Sequence, residues 1–254
     1  MNASRHCPYS LLTSLLLALG MANTVTADSP VNPDLSFLLI GQSNMAGRAP
    51  LQEEDRKPLA GTLLLDNQGK WIPATNPLNR FATNRKTLSM QRMGPGDGFA
   101  RRLHKTLPRK RVGLIVNARG GSSIDQWAKG KSLYDNSLKR VLAIKGLKLA
   151  GVIWHQGESN RDDPRYGEKM SLLIKNLRKD LDSPRLPFIA GQVFGAGQVN
   201  QHIKNLPRLV PNTGFAETVG LTVFDKVHFD RSSQLLLGSR YAEAYLRLTG
   251  QLPR

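Results

Sequence analysis

An α/β chain built on a mainly parallel, three-layer sheet is predicted by two observations taken together. Short apolar runs rich in Val, Ile, Leu and Phe recur along the 254 residues, and stretches with apolar residues at helical spacing lie between them. Strands alternating with helices make βαβ units, whose parallel strands are buried on both faces and read as continuous apolar runs. A chain of this length suits one domain with a sizeable core.

The elements follow in order. Leu35 to Ile40 is the first apolar run, and Thr62 to Leu65 a shorter, weaker one. Ala46 to Gly98 is irregular, rich in Pro, Asn, Arg and Gly, and longer than an ordinary connection, as functional loops often are. Its Trp71 and Phe81 are read in two ways, as faces for a sugar ring or as pins that hold the segment to the body. Phe99, Leu103 and Leu107 then recur at helical spacing, and Arg111 to Asn117 is the next strand. Tyr134, Leu138, Val141 and Leu142 predict a helix, and Gly151 to Trp154 a strand. Asp163 and Pro164 have the signature of a cap followed by proline at the first helical position, ahead of Tyr166, Met170, Leu173, Ile174 and Leu177. Pro187 to Val193 and Val219 to Phe224 complete the predicted strands. A last helix from about Arg231 to Leu248 carries Leu237, Tyr241, Ala244, Tyr245 and Leu248 on one face.

Residues 1–27 read as a signal peptide preceding a single domain over 28–254. Arg5 and His6 lead an apolar stretch from Leu11 to Leu19, and Val25, Thr26 and Ala27 offer small residues before a cut. The stretch is short for a membrane span, and no later segment approaches the ~20 apolar residues a span requires. Cys7 is the only cysteine. It lies inside the segment to be removed and ahead of its apolar stretch, so the mature chain is expected to have neither disulfide nor lipid anchor. Export to periplasm or medium follows as the expectation.

Lys and Arg number 36 against 19 Asp and Glu, a net charge of +17, and removal of residues 1–27 takes only Arg5 from the cations. A basic surface favours anionic partners, such as acidic glycans or lipid headgroups, and export argues against nucleic acid among them. The charges are dispersed, with short clusters such as Arg109, Lys110 and Arg111, as on a basic surface without a dedicated partner.

The first apolar run ends in Gly41-Gln42-Ser43-Asn44-Met45. A strand feeding a tight turn holds a hydroxyl out at the carboxyl edge of a sheet, so Ser43 is either a nucleophile or the N-cap of a following helix. A nucleophile needs a base and a group that orients the base. Asp225 and His228, three residues apart and just ahead of the last helix, supply that pair. If the sheet is parallel, the first and last strands deliver Ser43 and His228 to the same edge. Oxyanion donors are sought in two turns that follow strands. One holds Gly120 and Gly121, whose N–H groups can approach a ligand closely; the other holds Gln156, with a side-chain amide, and Glu158, a loop carboxylate or an aid to His228. His155 is assigned to this turn rather than to a metal site, and His104 and His202 to the surface.

Four segments in this order resemble the SGNH hydrolases, in particular the sialate O-acetylesterase-like branch that includes carbohydrate esterase family six. They are Gly41 to Met45, Gly120-Gly121-Ser122 with Ile124 and Trp127, Trp154-His155-Gln156-Gly157-Glu158, and Asp225 with His228. Gln42 and Gln156 stand where the wider superfamily has Asp and Asn, in keeping with the carbohydrate branch. The resemblance implies a flavodoxin-like fold and hydrolysis of acetyl esters on sugars such as acetylated xylan or sialic acid. It implies Ser43 as nucleophile, His228 as base and Asp225 as its partner. The oxyanion donors it implies are the N–H groups of Ser43 and of Gly120 or Gly121, with the Gln156 amide; Glu158, Gln42 and Asn44 are the supporting residues. No metal or organic cofactor is called for.

Two other readings stay open on the sequence. A lipid or aryl esterase of the GDSL type requires apolar acyl pockets, whereas the candidate loops are polar. A non-catalytic module binding an acidic glycan makes no use of Ser43, Asp225 and His228 together. An α/β-hydrolase lacks support, because Gly41 to Met45 has no second glycine of the nucleophile elbow.

Overall fold

The computed structural model describes residues 32–195 and 197–253, besides Met1 and Ser4. The signal-peptide reading of residues 1–27 therefore lies outside the described residues, those two apart. Residues 31–254 form one compact unit.

The first apolar run becomes β1 (Leu35–Gly41) at the centre of a seven-stranded sheet. Next in the chain come β2 (Thr62–Leu65) and β3 (Trp71–Pro73), then α2 (Gly96–Thr106) and β4 (Val112–Val116), with the short α1 (Ser43–Ala46) directly after β1. The second half holds α3 (Ser132–Leu142), β5 (Leu149–His155), α4 (Tyr166–Asp180), β6 (Phe188–Gly191), α5 (Gln198–Leu209), β7 (Thr213–Ala216) and α6 (Arg231–Leu248). Strand order is β3-β2-β4-β1-β5-β6-β7, and only the β2–β3 pair is antiparallel.

Alternation along the central strands builds the layers, because successive side chains leave a strand on opposite faces. Phe37 and Leu39 join Leu114, Val116, Ile153 and Ile189 under α2 and α6, with Phe99, Leu103, Leu237 and Tyr241. Leu38 and Ile40 join Ile115, Val152, Trp154 and Phe188 under α3, α4 and α5, with Tyr134, Met170, Ile174 and Ile203. Both faces of the sheet are thus covered, and the fold is a three-layer α/β/α sandwich, as the periodicities predict.

Three expectations are corrected. Val219 to Phe224 is not a strand; Val219 and Phe224 are exposed, and only an isolated bridge joins Val223 to Phe229. The last strand is Thr213–Ala216, whose run of only four residues holds a glycine and a threonine. The helix expected to start at Pro164 begins at Tyr166, because Asp163 instead heads a turn, accepting from the Arg165 N–H at 3.0 Å. His104 and His202 are half-buried rather than on the surface, packed against Gly61 and Gly167.

The segment from Ala46 to Gly98 is ordered by β2, β3, two 3₁₀ turns and a bridge between Ala49 and Met93. Trp71 packs toward Gly113 and Phe81 toward the α2–α6 core, so both pin the segment to the body.

Candidate active site

Parallel strands put the turns after β1, β4 and β5 at one edge of the sheet, and there the chemistry-bearing residues meet. Gly41 ends β1 at φ 136°, and a Cβ on it would lie 2.1 Å from the His155 carbonyl oxygen. Only glycine lets the chain turn so close to β5. Ser43 is then the first residue of α1; the cap position is Gln42, and no side chain caps the helix. The capping reading of Ser43 is therefore set aside.

The loop between β7 and α6 folds as a small hairpin, closed by Phe224 N–H donating to His228 O at 3.0 Å and Asp230 N–H donating to Thr222 O at 3.2 Å. Asp225 organises its tip. Its Oδ1 accepts from the N–H groups of Val227 and His228 at 2.8 and 2.7 Å, and its Oδ2 lies 2.6 Å from His228 Nδ1. A carboxylate only accepts, so Nδ1 carries the hydrogen and Nε2 is the acceptor. Nε2 lies 2.9 Å from Ser43 Oγ. Burial works against charge on Asp225, but the His228 ring and the two backbone N–H groups outweigh it and hold the carboxyl down at about 2. Phe224 stacks on the imidazole at 6.1 Å.

The two glycines after β4 part company. The point where a Gly120 Cβ would sit is 3.6 Å from Ser43 Cβ, so Gly120 stands beside the nucleophile candidate. Gly121, at φ 73°, is exposed and nearest to Lys86. A polar cavity of about 370 Å³ opens along the same turn, lined in part by Asn84, Arg119, Gln126 and Lys131.

Gln156 differs from expectation. It is fully buried, and its Nε2 lies 3.1 Å from Gln42 Oε1, 3.0 Å from Ser122 O and 2.8 Å from Asn160 Oδ1. Two hydrogens already face three acceptors, so the amide ties the three turns together and leaves none over for an acyl oxygen. Gln42 is a partner in that tie, accepting also from Gly157 N–H at 3.4 Å.

Asn44 is a hub. Its Nδ2 donates to Glu158 Oε1 at 2.7 Å and to Val227 O at 3.1 Å, and its Oδ1 accepts from Phe229 N–H at 3.1 Å and Gln234 Nε2 at 3.0 Å. Behind it, Glu158 Oε1 lies 3.5 Å from His155 Nε2. Burial opposes ionisation of Glu158, yet His155, a backbone N–H and Asn44 more than offset it and hold the carboxyl below its usual range. On the far side of the ring, Tyr241 O–H donates to Trp154 O at 3.0 Å, so its oxygen accepts from His155 Nδ1 at 2.7 Å.

Sequence reasoning missed the hub role of Asn44 and missed Arg48, which reaches Gly120 from five residues past Ser43. A cation one turn beyond a candidate nucleophile was the available signal for the latter. The bonds of Asn44 span 114 to 190 residues and left no local signal.

Comparison with known proteins gives a consistent result. Residues 34–247 match the family model described as carbohydrate esterase, sialic acid-specific acetylesterase. The chain is 31% identical over 243 residues to a probable carbohydrate esterase of Arabidopsis thaliana, covering 86% of this chain and 92% of that protein. An X-ray structure of an Arabidopsis thaliana protein, also 31% identical, aligns with a TM-score of 0.75 over 85% of this chain and 98% of that one. NanS aligns with a TM-score of 0.64 at 17% identity, over 87% of this chain and all of its own. A carbohydrate acetylesterase from Xanthomonas citri aligns at 0.59 and 19% identity, over 86% of this chain and 57% of its own. The last two bear on the fold alone.

Proposed function

Since the chain belongs to the family of carbohydrate esterases described as sialic acid-specific acetylesterases, we propose that it removes acetyl groups from sugars through an acetyl-enzyme on Ser43. The esterase class and a carbohydrate substrate come with the family; the mechanism and the export of the chain are our reading. In it, Ser43 Oγ attacks the acetyl carbonyl carbon and passes its proton to His228 Nε2. The carbonyl oxygen takes up the negative charge beside the N–H groups of Ser43 and Gly120. Collapse breaks the bond to the sugar oxygen, which leaves with the proton from His228. Water, deprotonated by His228, then releases acetate and restores Ser43. Asp225 holds the ring in the reactive tautomer and stabilises the imidazolium, and the cavity beside Arg119 takes the sugar. Gln156, Gln42, Asn44 and Glu158 fix the turns that carry these groups.

The observation that carries the reading is the unbroken chain from Asp225 Oδ2 through His228 to Ser43 Oγ, with contacts of 2.6 and 2.9 Å. The test is acetate release by wild type and Ser43→Ala from acetylated xylan, O-acetylated sialic acid and a small aryl acetate. Release from a sugar ester that the variant loses is the expected result. Release from the aryl ester alone would favour an aryl esterase, and no release by wild type a binding module. For export, the mature N-terminus is expected just after Ala27, and recovery of the chain from the cytoplasm alone, with Met1 intact, would overturn that part.

Among the described residues, no helix is long and apolar enough to cross a membrane.

A further inference from the structure

Arg48 is the charged group of the site that the mechanism leaves without a task. It follows the Gly47 turn at the end of α1, and its side chain folds back over the Gly120 turn. Nη2 lies 2.5 Å from the point where a Gly120 Cβ would be, and Ser43 Cβ lies 3.6 Å from the same point. One face of the oxyanion turn is thus shared by the serine and the guanidinium.

The other nitrogens explain how the group is held. Nη1 donates to Gly47 O at 2.7 Å and to Met90 O at 3.0 Å, which fixes the plane of the fork from behind. For Nη2 no protein acceptor occurs among the described residues, and no Asp or Glu there forms an ion pair with Arg48. The side chain is half-buried. Burial lowers its pKa from the ordinary arginine value, with no carboxylate to offset the effect. A half-buried cation held in this way has a donor ready, which is the arrangement that stabilises charge developing in a transition state.

We propose that Arg48 is a further catalytic residue, whose Nη2 donates to the acyl oxygen as it becomes an oxyanion, beside the N–H groups of Ser43 and Gly120. The inference rests on the acetyl-enzyme reading above. It also accounts for Gly120, since any side chain there would displace the guanidinium from the turn.

The experiment compares Arg48→Gln, Arg48→Lys and Ser43→Ala on a neutral aryl acetate and on an acetylated sugar. Arg48→Gln is expected to lower kcat about 100-fold on both esters, the scale of losing one oxyanion donor, while KM stays within about threefold. Arg48→Lys, which keeps the charge, is expected to fall between. Arg48 also supports the turn at Met90, so a purely structural loss is separated by chemical rescue: added guanidinium is expected to raise kcat of Arg48→Gly. Three results would overturn the inference: unchanged kcat, no response to guanidinium, or a loss confined to KM on the sugar ester, which would make Arg48 a sugar-binding group. Activity lost in Ser43→Ala but kept in the Arg48 variants defeats this inference alone; activity kept in Ser43→Ala defeats the serine mechanism as well.

Discussion

Asn44 brackets His228: its amide donates to the carbonyl of Val227 and accepts from the N–H of Phe229, at 3.1 Å each. Because Asn44 is also the neighbour of Ser43, one buried side chain ties the backbone on both sides of His228 to the helix that carries Ser43. The 2.9 Å contact between Ser43 and His228 is therefore set by a covalent neighbour on one side and two hydrogen bonds on the other. Asn44→Ala is expected to lower kcat by about 10- to 100-fold with KM little changed, since a small misplacement of reacting groups is costly. It should also destabilise the fold by about 2–3 kcal/mol, because buried donors on Phe229 and Gln234 lose their acceptor. Steady-state kinetics with urea unfolding checks both, and an intact kcat would show that the hairpin holds His228 unaided.

Glu158 fixes which way that amide faces. The carboxylate's Oε1 takes the Nδ2 hydrogen of Asn44 at 2.7 Å and lies 3.5 Å from His155 Nε2. In Glu158→Gln an amide oxygen in the place of Oε1 still accepts from Asn44 Nδ2, and the shape of the buried side chain is kept. Activity should stay within several-fold of wild type. Glu158→Leu leaves buried polar groups on both sides without partners, a loss of about 3–5 kcal/mol. The folded carboxyl titrates below its usual range, so it adds stability above that range and loses it as the pH falls through the lowered value. Wild type should therefore lose more stability than Glu158→Gln between neutral and acid pH. Equal acid sensitivity in the two would sink this account.

Neighbouring glycines predict opposite phenotypes. Gly120→Ala brings a methyl group to within 2.5 Å of Arg48 Nη2 and 3.6 Å of Ser43 Cβ, so it should reduce kcat by about 10-fold or more with modest effect on unfolding. Gly121→Ala meets nothing closer than Lys86 Nζ at 3.5 Å, but sits at φ 73°. It should cost about 1 kcal/mol of stability and leave kcat nearly unchanged. The reverse pattern in a paired measurement would exchange the roles given to the two residues.

Much of this arrangement is legible in the sequence, for an identifiable reason. β1, β4, β5 and β6 are buried on both faces, so their apolar runs are unbroken, and α6 has its apolar residues in register. The edges were harder. β3 and β7 are three and four residues long and carry Pro or Gly, whereas Val219 to Phe224 has a strand's composition without a neighbouring strand to pair with. In the site, Ser43, His228 and Asp225 stand out because each residue type names its chemistry. Gln156 is ambiguous in the sequence for a complementary reason: an amide can donate to a ligand or to its own loops, and the choice depends on the positions of Gln42, Ser122 and Asn160. α5 has Val199, Ile203 and Leu206 at helical spacing, but the flanking Gly195 and Gly197, with Pro207 in its last turn, obscure it in the sequence.

Asp225 sets the last expectation, which concerns pH. Its carboxyl is held down at about 2, against an ordinary value near 3.8, so it remains ionised on His228 wherever the pH lies above the usual carboxylate range. Its contribution to stability is present above that range and fades only as the pH falls through about 2. The acid limb of kcat/KM should therefore carry no contribution from Asp225 at any pH above the usual carboxylate range. Asp225→Asn removes the acceptor that selects the Nδ1–H tautomer, and should cost about 10²–10⁴ in kcat while leaving the chain folded, since the amide oxygen still accepts from Val227 and His228 N–H. If the Asn variant kept wild-type kcat, another group would have to orient the ring. Titration of Asp225 within the usual carboxylate range, followed by NMR, would overturn this expectation.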